Sequence, residues 1–364
     1  MNTTIMAIKP AAGKLNLKIN YNWLRAVSLL LLIGTSLSTM AQDTKKTKVN
    51  IGLAYPVSTN GTHAPKDTNV LSLNALVGVS AKEKGFALSG FSNIIRKDAN
   101  GMRLAGFSNH TLGKAEGAQI AGFINTYGGG KAVSIAGFAN VSKQNSGTQI
   151  GGFMNWTSKN ASVLQLAGFM NKAGDVEGAQ IAGFINVAKK VKGIQLAGFI
   201  NVADSSDYPI GVINIIKNGE KSIALTTNQN LTTMLTFRSG GKVLYGIIGA
   251  GYNFKNKDEV YALEAGFGAH FFQREKFRLN AELTASSLQN FKRGNYFKST
   301  LQLMPSYRIG PYLEVFAGPS VNFVSTNTEE GKGLQKHYFK TWDRKDNTLN
   351  AMFLGYTGGL AFSF

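Results

Sequence analysis

Cysteine is absent from this 364-residue chain. That excludes disulfides, thiolate metal sites, cysteine nucleophiles and lipid attachment through a thiol. Proline is scarce at 7 residues, and charged residues make up only 16%, well below the roughly one quarter usual in soluble domains. Histidine occurs four times, at His63, His110, His270 and His337, and no two are spaced as a metal-binding pair. No G-x-S-x-G, phosphate-binding loop or dinucleotide fingerprint occurs, and the G-x-G strings (Gly128–Gly130, Gly249–Gly251, Gly266–Gly268) fall in expected turns or strands. Beyond residue 41 no stretch holds eighteen consecutive apolar residues, so no membrane-crossing helix is expected.

What the chain has is glycine, 42 residues, and hydrophobic residues at 43%. Its formal charge is +19, but the basic residues are scattered through turns, with no Lys/Arg-rich helix or finger to gather them. Nucleic acid is therefore not expected as a partner, and attraction to anionic lipid or lipopolysaccharide is. At the N-terminus, Lys9, Lys14, Lys18 and Arg25 precede an apolar run, "AVSLLLLIGTSLS" (26–38). Thr39 and Ala41 then occupy the −3 and −1 positions of a cleavage site. Residues 1–41 thus read as a secretory signal peptide removed after Ala41, and an exported chain is expected. If a membrane holds it, a closed β-barrel must do so, because only helices and closed barrels satisfy every backbone polar group in lipid.

The middle of the chain repeats. The glycine of each G-F-x-N word falls at Gly90, Gly106, Gly122, Gly137, Gly152, Gly168, Gly183 and Gly198, with a variant G-V-I-N at Gly211. The period is about 15.5 residues over nine copies, and the nine-residue string 117–125 recurs letter for letter at 178–186. The apolar part is too short for a helix and has glycine at its centre. Each copy is expected to be one strand and one turn. In the copy 178–187, strict alternation would send Ala179, Ile181, Gly183, Ile185 and Val187 to one face and Gly178, Gln180, Ala182, Phe184 and Asn186 to the other, both covered.

Two architectures fit this unit. Each copy is either one coil of a parallel β-solenoid or one strand of a single large meander barrel of about 18 strands. A meander grows by hairpins and would leave a doubled period, whereas stacked coils are all equivalent, so the uniform copies favour the solenoid. The Phe and Asn rows are then packing and hydrogen-bond ladders, with an exposed Phe row as the alternative, a surface for a partner or for self-association.

The last third alternates strictly, as in 261–271, 277–285, 297–309 and 313–323. Connections at 238–241, 273–276 and 309–311 are tight, and those at 255–259, 289–295 and 327–348 are longer, the asymmetry of an outer-membrane-type antiparallel barrel. Seven C-terminal strands together with 48–57 are expected to close a barrel of eight, and 70–80 reads as another N-terminal barrel strand. The expected organisation is N-terminal barrel strands over 42–84, repeats over 85–225 and C-terminal barrel strands over 226–364. Glu264, His270, Arg278, Glu282, Lys298, Arg308 and Glu314 would face the lumen, pairing to plug a small barrel or lining an anion-selective pore in a large one.

The last residues, "YTGGLAFSF", an alternating strand ending in an aromatic, resemble the insertion signal of Gram-negative outer-membrane barrels. The G-x-Q-x-A-G-F-x-N words, the linking "YPIGVINIIKNGEKSIAL" (208–225) and "TFRSGGKVLYGIIGAGYNF" (236–254) resemble surface-repeat outer-membrane proteins of Gram-negative bacteria. The resemblance implies a cell outer-membrane location and carries no activity and no catalytic, cofactor or metal residue to transfer. The expected function is a non-enzymatic, barrel-anchored surface protein. The alternatives are an outer-membrane channel and a hydrolase at the barrel rim built on His337, Asp343 and Asp346.

Overall fold

The computed structural model describes residues 48–292, 294–343 and 347–364; the expected signal peptide lies outside them. The chain is all-β, and its repeats form a right-angled contrast to a meander: they pair in parallel with their counterparts one repeat away. Asp175–Ala182 pairs in parallel with both Ala161–Ala167 and Lys190–Ala197, so that Gln165, Gln180 and Gln195 are direct partners. Ile185–Val187 pairs with Met170–Lys172 and Ile200–Ala203, aligning Asn171, Asn186 and Asn201. Each copy is therefore one coil of a β-solenoid, and the large-barrel alternative is excluded by the strand direction.

A coil is two short strands, not one. The Gly-Phe pair is a corner between them. A Cβ on Gly183 would run into the carbonyl oxygen of Gly168 one coil below, and the same clash recurs from Gly106 to Gly198. The corner places two successive residues outside and resets the alternation. Gln180, Ala182 and Asn186 point inward and are buried, while Phe184 is exposed and Ile181 is only half-buried on the outside. The expectation of a continuous strand with both faces covered is corrected on this point.

Thr68–Ser80 forms a tenth coil ahead of the nine, in parallel register with Lys82–Ser89 and Ser92–Ile95. Ala75 and Leu76 stand where the later coils have Gly and Phe: Phe91 N–H donates to the Leu76 carbonyl at 2.9 Å. Lys48–Ala54 adds one more parallel strand and is itself covered by the antiparallel Val57–Ser58, which shields an otherwise open sheet edge. Residues 48–57 and 70–80 are thus the cap and first coil of the solenoid, not the expected N-terminal barrel strands. They pair in parallel with repeat strands, which an antiparallel barrel cannot offer.

The barrel has eight antiparallel strands, as expected, but its first is Glu220–Asn228, six residues ahead of the expected boundary. It pairs with Thr232–Gly240 on one side and with the last strand, Leu349–Ser363, on the other, closing the sheet. Between them run Leu244–Asn253, Tyr261–Phe271, Phe277–Gln289, Tyr296–Ile309 and Leu313–Thr326. A short strand, Lys340–Asp343, extends the last one at the long-loop end.

Candidate functional site

The barrel interior is the most chemically dense region of the molecule. Near the short-turn end, Arg238 Nε and Nη2 donate to the two oxygens of Glu282 at 2.9 and 3.3 Å. Tyr245 and Gln302 complete the shell of that carboxylate, at 2.8 Å each. Beside it, Arg278 donates to Glu314 at 3.0 Å and to Glu220 at 2.7 Å, and Asn280 donates to Glu314 at 3.1 Å. His270 Nδ1 lies 2.7 Å from the Asn280 amide oxygen. The guanidinium of Arg238 sits over the Phe316 ring. Two arginines and their acids are nearly inaccessible here, and buried charges of this kind persist only when paired and hydrogen-bonded.

The long-loop half of the lumen is filled differently. Met234, Leu288, Tyr296, Val324 and Phe353 form an apolar cluster that Leu334, from the loop 327–339, caps from above. That loop carries a single helical turn, Glu329–Gly333, capped at its N-terminus by the Thr328 hydroxyl. Glu330 accepts three backbone N–H bonds, from Lys257, Asp258 and Glu259, at 3.1 Å each. These bonds, led by that from Glu259, hold its carboxyl below the ordinary range. Lys255 Nζ donates to the Leu334 carbonyl at 2.6 Å, and Thr328 donates to Glu259 at 2.7 Å. Two spaces among the charged side chains of the lumen hold about 10 and 20 Å³, room for one water each at most, and a wider one of about 420 Å³ opens at the short-turn mouth beside Glu220, Arg308 and Glu314. The set predicted to face the lumen lines it: Arg278 and Arg308 pair with Glu314, Glu282 pairs with Arg238, His270 meets the Asn280 amide, and Glu264 and Lys298 line the same small space without a direct hydrogen bond between them. A pore lined by repeat strands has no counterpart.

The barrel wall is inverted relative to a water-soluble one. Leu263, Leu283, Leu301 and Leu354 point outward with half or more of their surface bare. Aromatic residues ring both ends: Tyr252, Tyr261 and Phe297 at the long-loop end, and Phe271, Phe277, Tyr307 and Phe362 at the short-turn end.

The solenoid is inverted as well. Its interior holds a ladder of amides. Each Asn Nδ2 donates to the Asn Oδ1 of the next coil, from Asn93 through Asn109, Asn125, Asn140, Asn155, Asn171, Asn186 and Asn201 to Asn214, at 2.8 to 3.0 Å. The second Nδ2 hydrogen goes to a backbone carbonyl at the corner of the next coil, as from Asn171 to Ile181 at 2.7 Å. It satisfies an acceptor that the corner would otherwise strand. The Gln ladder runs the other way, Gln180 to Gln165 at 2.8 Å and Gln195 to Gln180 at 3.1 Å. Gln149 ends it on the buried Tyr127 hydroxyl at 2.8 Å, whose pKa burial pushes up to about 12. Outside, Phe91 to Phe199 form an unbroken stack with ring centroids 4.8 to 5.3 Å apart.

The rim arrangement finds no support. Asp346 and the side chain of Asp343 lie outside the described residues. Among the described residues no histidine hydrogen-bonds a carboxylate: His110 meets Thr126 and His270 meets Asn280. No described cluster of His, Asp or Glu could hold a metal ion. The closing strand 220–228 escaped the sequence reading because its inward residues, Ser222, Ala224 and Thr226, are small and it follows the last repeat without a break.

No family model matches the chain, and no curated protein matches it. A solved transmembrane β-barrel of de novo design aligns over 40% of this chain and 93% of its own, at 15% identity and a TM-score of 0.22. At that score the likeness carries no argument, and what stands is the pairing itself: an eight-stranded antiparallel barrel joined to a ten-coil parallel β-solenoid.

Proposed function

We propose that the protein is a non-enzymatic outer-membrane protein in which a plugged barrel is the anchor and the solenoid is the working or structural element. The observation that carries this reading is the inverted barrel, with a leucine-rich outer wall between two aromatic rings and an ion-paired interior. In water such a wall would be an apolar surface far beyond what soluble monomers expose, and in a bilayer it is the required one. The expected leader and the resemblance to surface-repeat proteins support the outer membrane as the destination. The lumen packing supports an anchor over a channel.

The solenoid joins the barrel at the end that bears the tight turns and both barrel termini. In outer-membrane barrels that end faces the periplasm, so the repeats belong to the periplasmic side, not the outer surface. Membrane fractionation with carbonate washing tests the anchor: the chain should stay with outer membranes, and recovery in the soluble periplasm would overturn the reading. In planar bilayers the purified protein should give no reproducible conductance steps; stable steps would restore the channel.

A further inference from the structure

The last coil does not end in solvent. From Gly106 to Gly198 each corner glycine lies against the carbonyl of the corner glycine one coil before, and beyond the last corner, Gly211, Gly246 on the barrel's outer wall lies in the same way against the Gly211 and Val212 carbonyls. The Asn ladder ends in the same way. Asn214 N–H donates to Ser239 Oγ at 3.0 Å, and Asn214 Nδ2 donates to the Ser239 carbonyl at 3.1 Å. Ser239 and Gly246 are register partners, and both face away from the lumen that holds their neighbours Arg238 and Tyr245. The barrel wall therefore stands in for the next coil. Because coils stack along the solenoid axis, that axis runs into the wall from the side, across the barrel and not along it.

The level of this junction places the Phe ridge. Ser239 and Gly246 lie one residue pair above the turn, and the outward Phe237 and Ile248, two pairs further toward the middle of the wall, belong to the apolar belt. The column of Phe positions ends at Val212, whose carbonyl lies against Gly246 just below this belt. The corner and the strand Ile213–Ile216 sit at the Ser239 level, whereas Pro209 of the preceding strand lies against Gly241 in the turn. So the ridge and the outer face of the second strand of each coil are on the side of the coil nearer the bilayer.

We infer that the solenoid lies along the inner-facing leaflet with its Phe ridge sunk into the acyl-chain boundary of a phospholipid monolayer. The inference rests on the reading of the barrel as membrane-spanning. In the stack, ring faces are covered by neighbours, yet the seven rings from Phe91 to Phe184 remain 38 to 50% exposed, which means that their rims project freely. At roughly 80 Å² each they form a stripe of about 550 Å² some 35 Å long, before the Ile, Leu and Met columns on either flank are counted. A soluble monomer's largest apolar patch is about that size. The charge balance fits an anionic surface: residues 84–217 hold 13 Lys and Arg against 6 Asp and Glu. Trp156, with Lys172 Nζ 4.1 Å over its ring, sits on the outer face of the second strand, the pairing expected at headgroup depth.

The cysteine-free chain permits single labels. The mature full chain, refolded into phosphatidylethanolamine/phosphatidylglycerol vesicles, would carry a nitroxide at Phe123→Cys or Phe169→Cys on the ridge, Lys189→Cys on the opposite edge, or Leu263→Cys on the barrel wall. Accessibility to oxygen and to an aqueous nickel chelate is then compared. The ridge labels should behave as Leu263→Cys does, with oxygen favoured at least fivefold over the Lys189→Cys ratio. Ridge labels open to nickel while Leu263→Cys is shielded overturn this inference alone; nickel access at Leu263→Cys overturns the membrane reading beneath it. Ridge labels shielded from both reagents indicate a protein partner or a second copy, and reject lipid. If a ridge variant fails to fold, Trp342→Phe leaves Trp156 as the one indole beyond residue 41. Lipids brominated near the headgroup end should quench it about twofold or more, and unchanged emission would reject the inference.

Discussion

Solenoid and barrel share an inversion, polar inside and apolar outside, but they fill their interiors with opposite chemistry. The solenoid stacks neutral amides, and the barrel stacks Arg against Glu. Strand direction explains the difference. In a parallel stack of identical coils every side chain meets its own kind about 4.8 Å away. A charged residue in the consensus would face its own charge, a repulsion of about 3 kcal/mol per contact at an effective dielectric of 20. Asn and Gln carry both donor and acceptor and can bond to themselves indefinitely. Antiparallel barrel strands bring unlike residues together, so complementary charges can be used once each. The exceptions confirm the rule's cause: Glu83 and Arg103, buried in the solenoid, each occur in a single coil near the degenerate start. Burial holds the Glu83 carboxyl above its ordinary range and brings Arg103 down to about 10.

This contrast is broken most severely in the barrel. Glu282→Ala removes the carboxylate that three side chains share and leaves Arg238 charged, buried and unpaired. The cost should be about 3 to 5 kcal/mol, read as a lower urea midpoint for the heat-modifiable folded band. A loss under about 1 kcal/mol would mean that water reaches the site. In the solenoid the corresponding change is Asn155→Ala, which strands one Asn140 hydrogen, the Leu166 carbonyl and the Asn171 amide oxygen. Three orphaned neutral groups should cost about 3 to 4 kcal/mol, seen as faster amide exchange in coils 139–172 with the barrel unaffected. Exchange that rises equally in the barrel would show that the two regions unfold as one.

Much of this was legible beforehand. Equivalent copies favoured stacked coils, strict alternation marked seven barrel strands, and the lumen-facing acids and bases were named. What escaped depends on local breaks in periodicity. Gly183 and Phe184 both lie outside, so the parity of Asn186 cannot be counted through them from Gln180. The fixed Gly before every Phe was the available signal, since an invariant glycine in a strand word marks a corner or a close approach. The first coil went unseen because Ala75 and Leu76 replace that pair. The plug of the upper lumen was invisible because Leu334 meets Phe353 and Met234 only after the barrel closes.

The corrected parity makes its own prediction. Ile181→Asp, buried under strict alternation, lies on the outer face in the folded coil. In detergent it should cost under about 1 kcal/mol, whereas Ala182→Asp, one residue on and 3% exposed, should cost several. Equal costs would restore the single-strand coil.

The smallest expected effect is at the loop latch. Glu330 is half-buried, and its three backbone donors belong to Lys257, Asp258 and Glu259. Because its folded pKa lies below the ordinary carboxylate value, its stabilisation is present above that value and is lost as pH falls through the folded pKa. The latch is therefore closed at neutral pH and loosens in acid. Glu259, held upward chiefly by burial, has the opposite sign, so a pH scan alone would mix the two. Glu330→Gln at pH 7 isolates the first: one amide oxygen cannot serve three donors, and exchange at those three N–H groups should quicken several-fold while global stability stays within about 0.5 kcal/mol. Unchanged exchange would assign the closure to Lys255 on the Leu334 carbonyl and Thr328 on Glu259 instead.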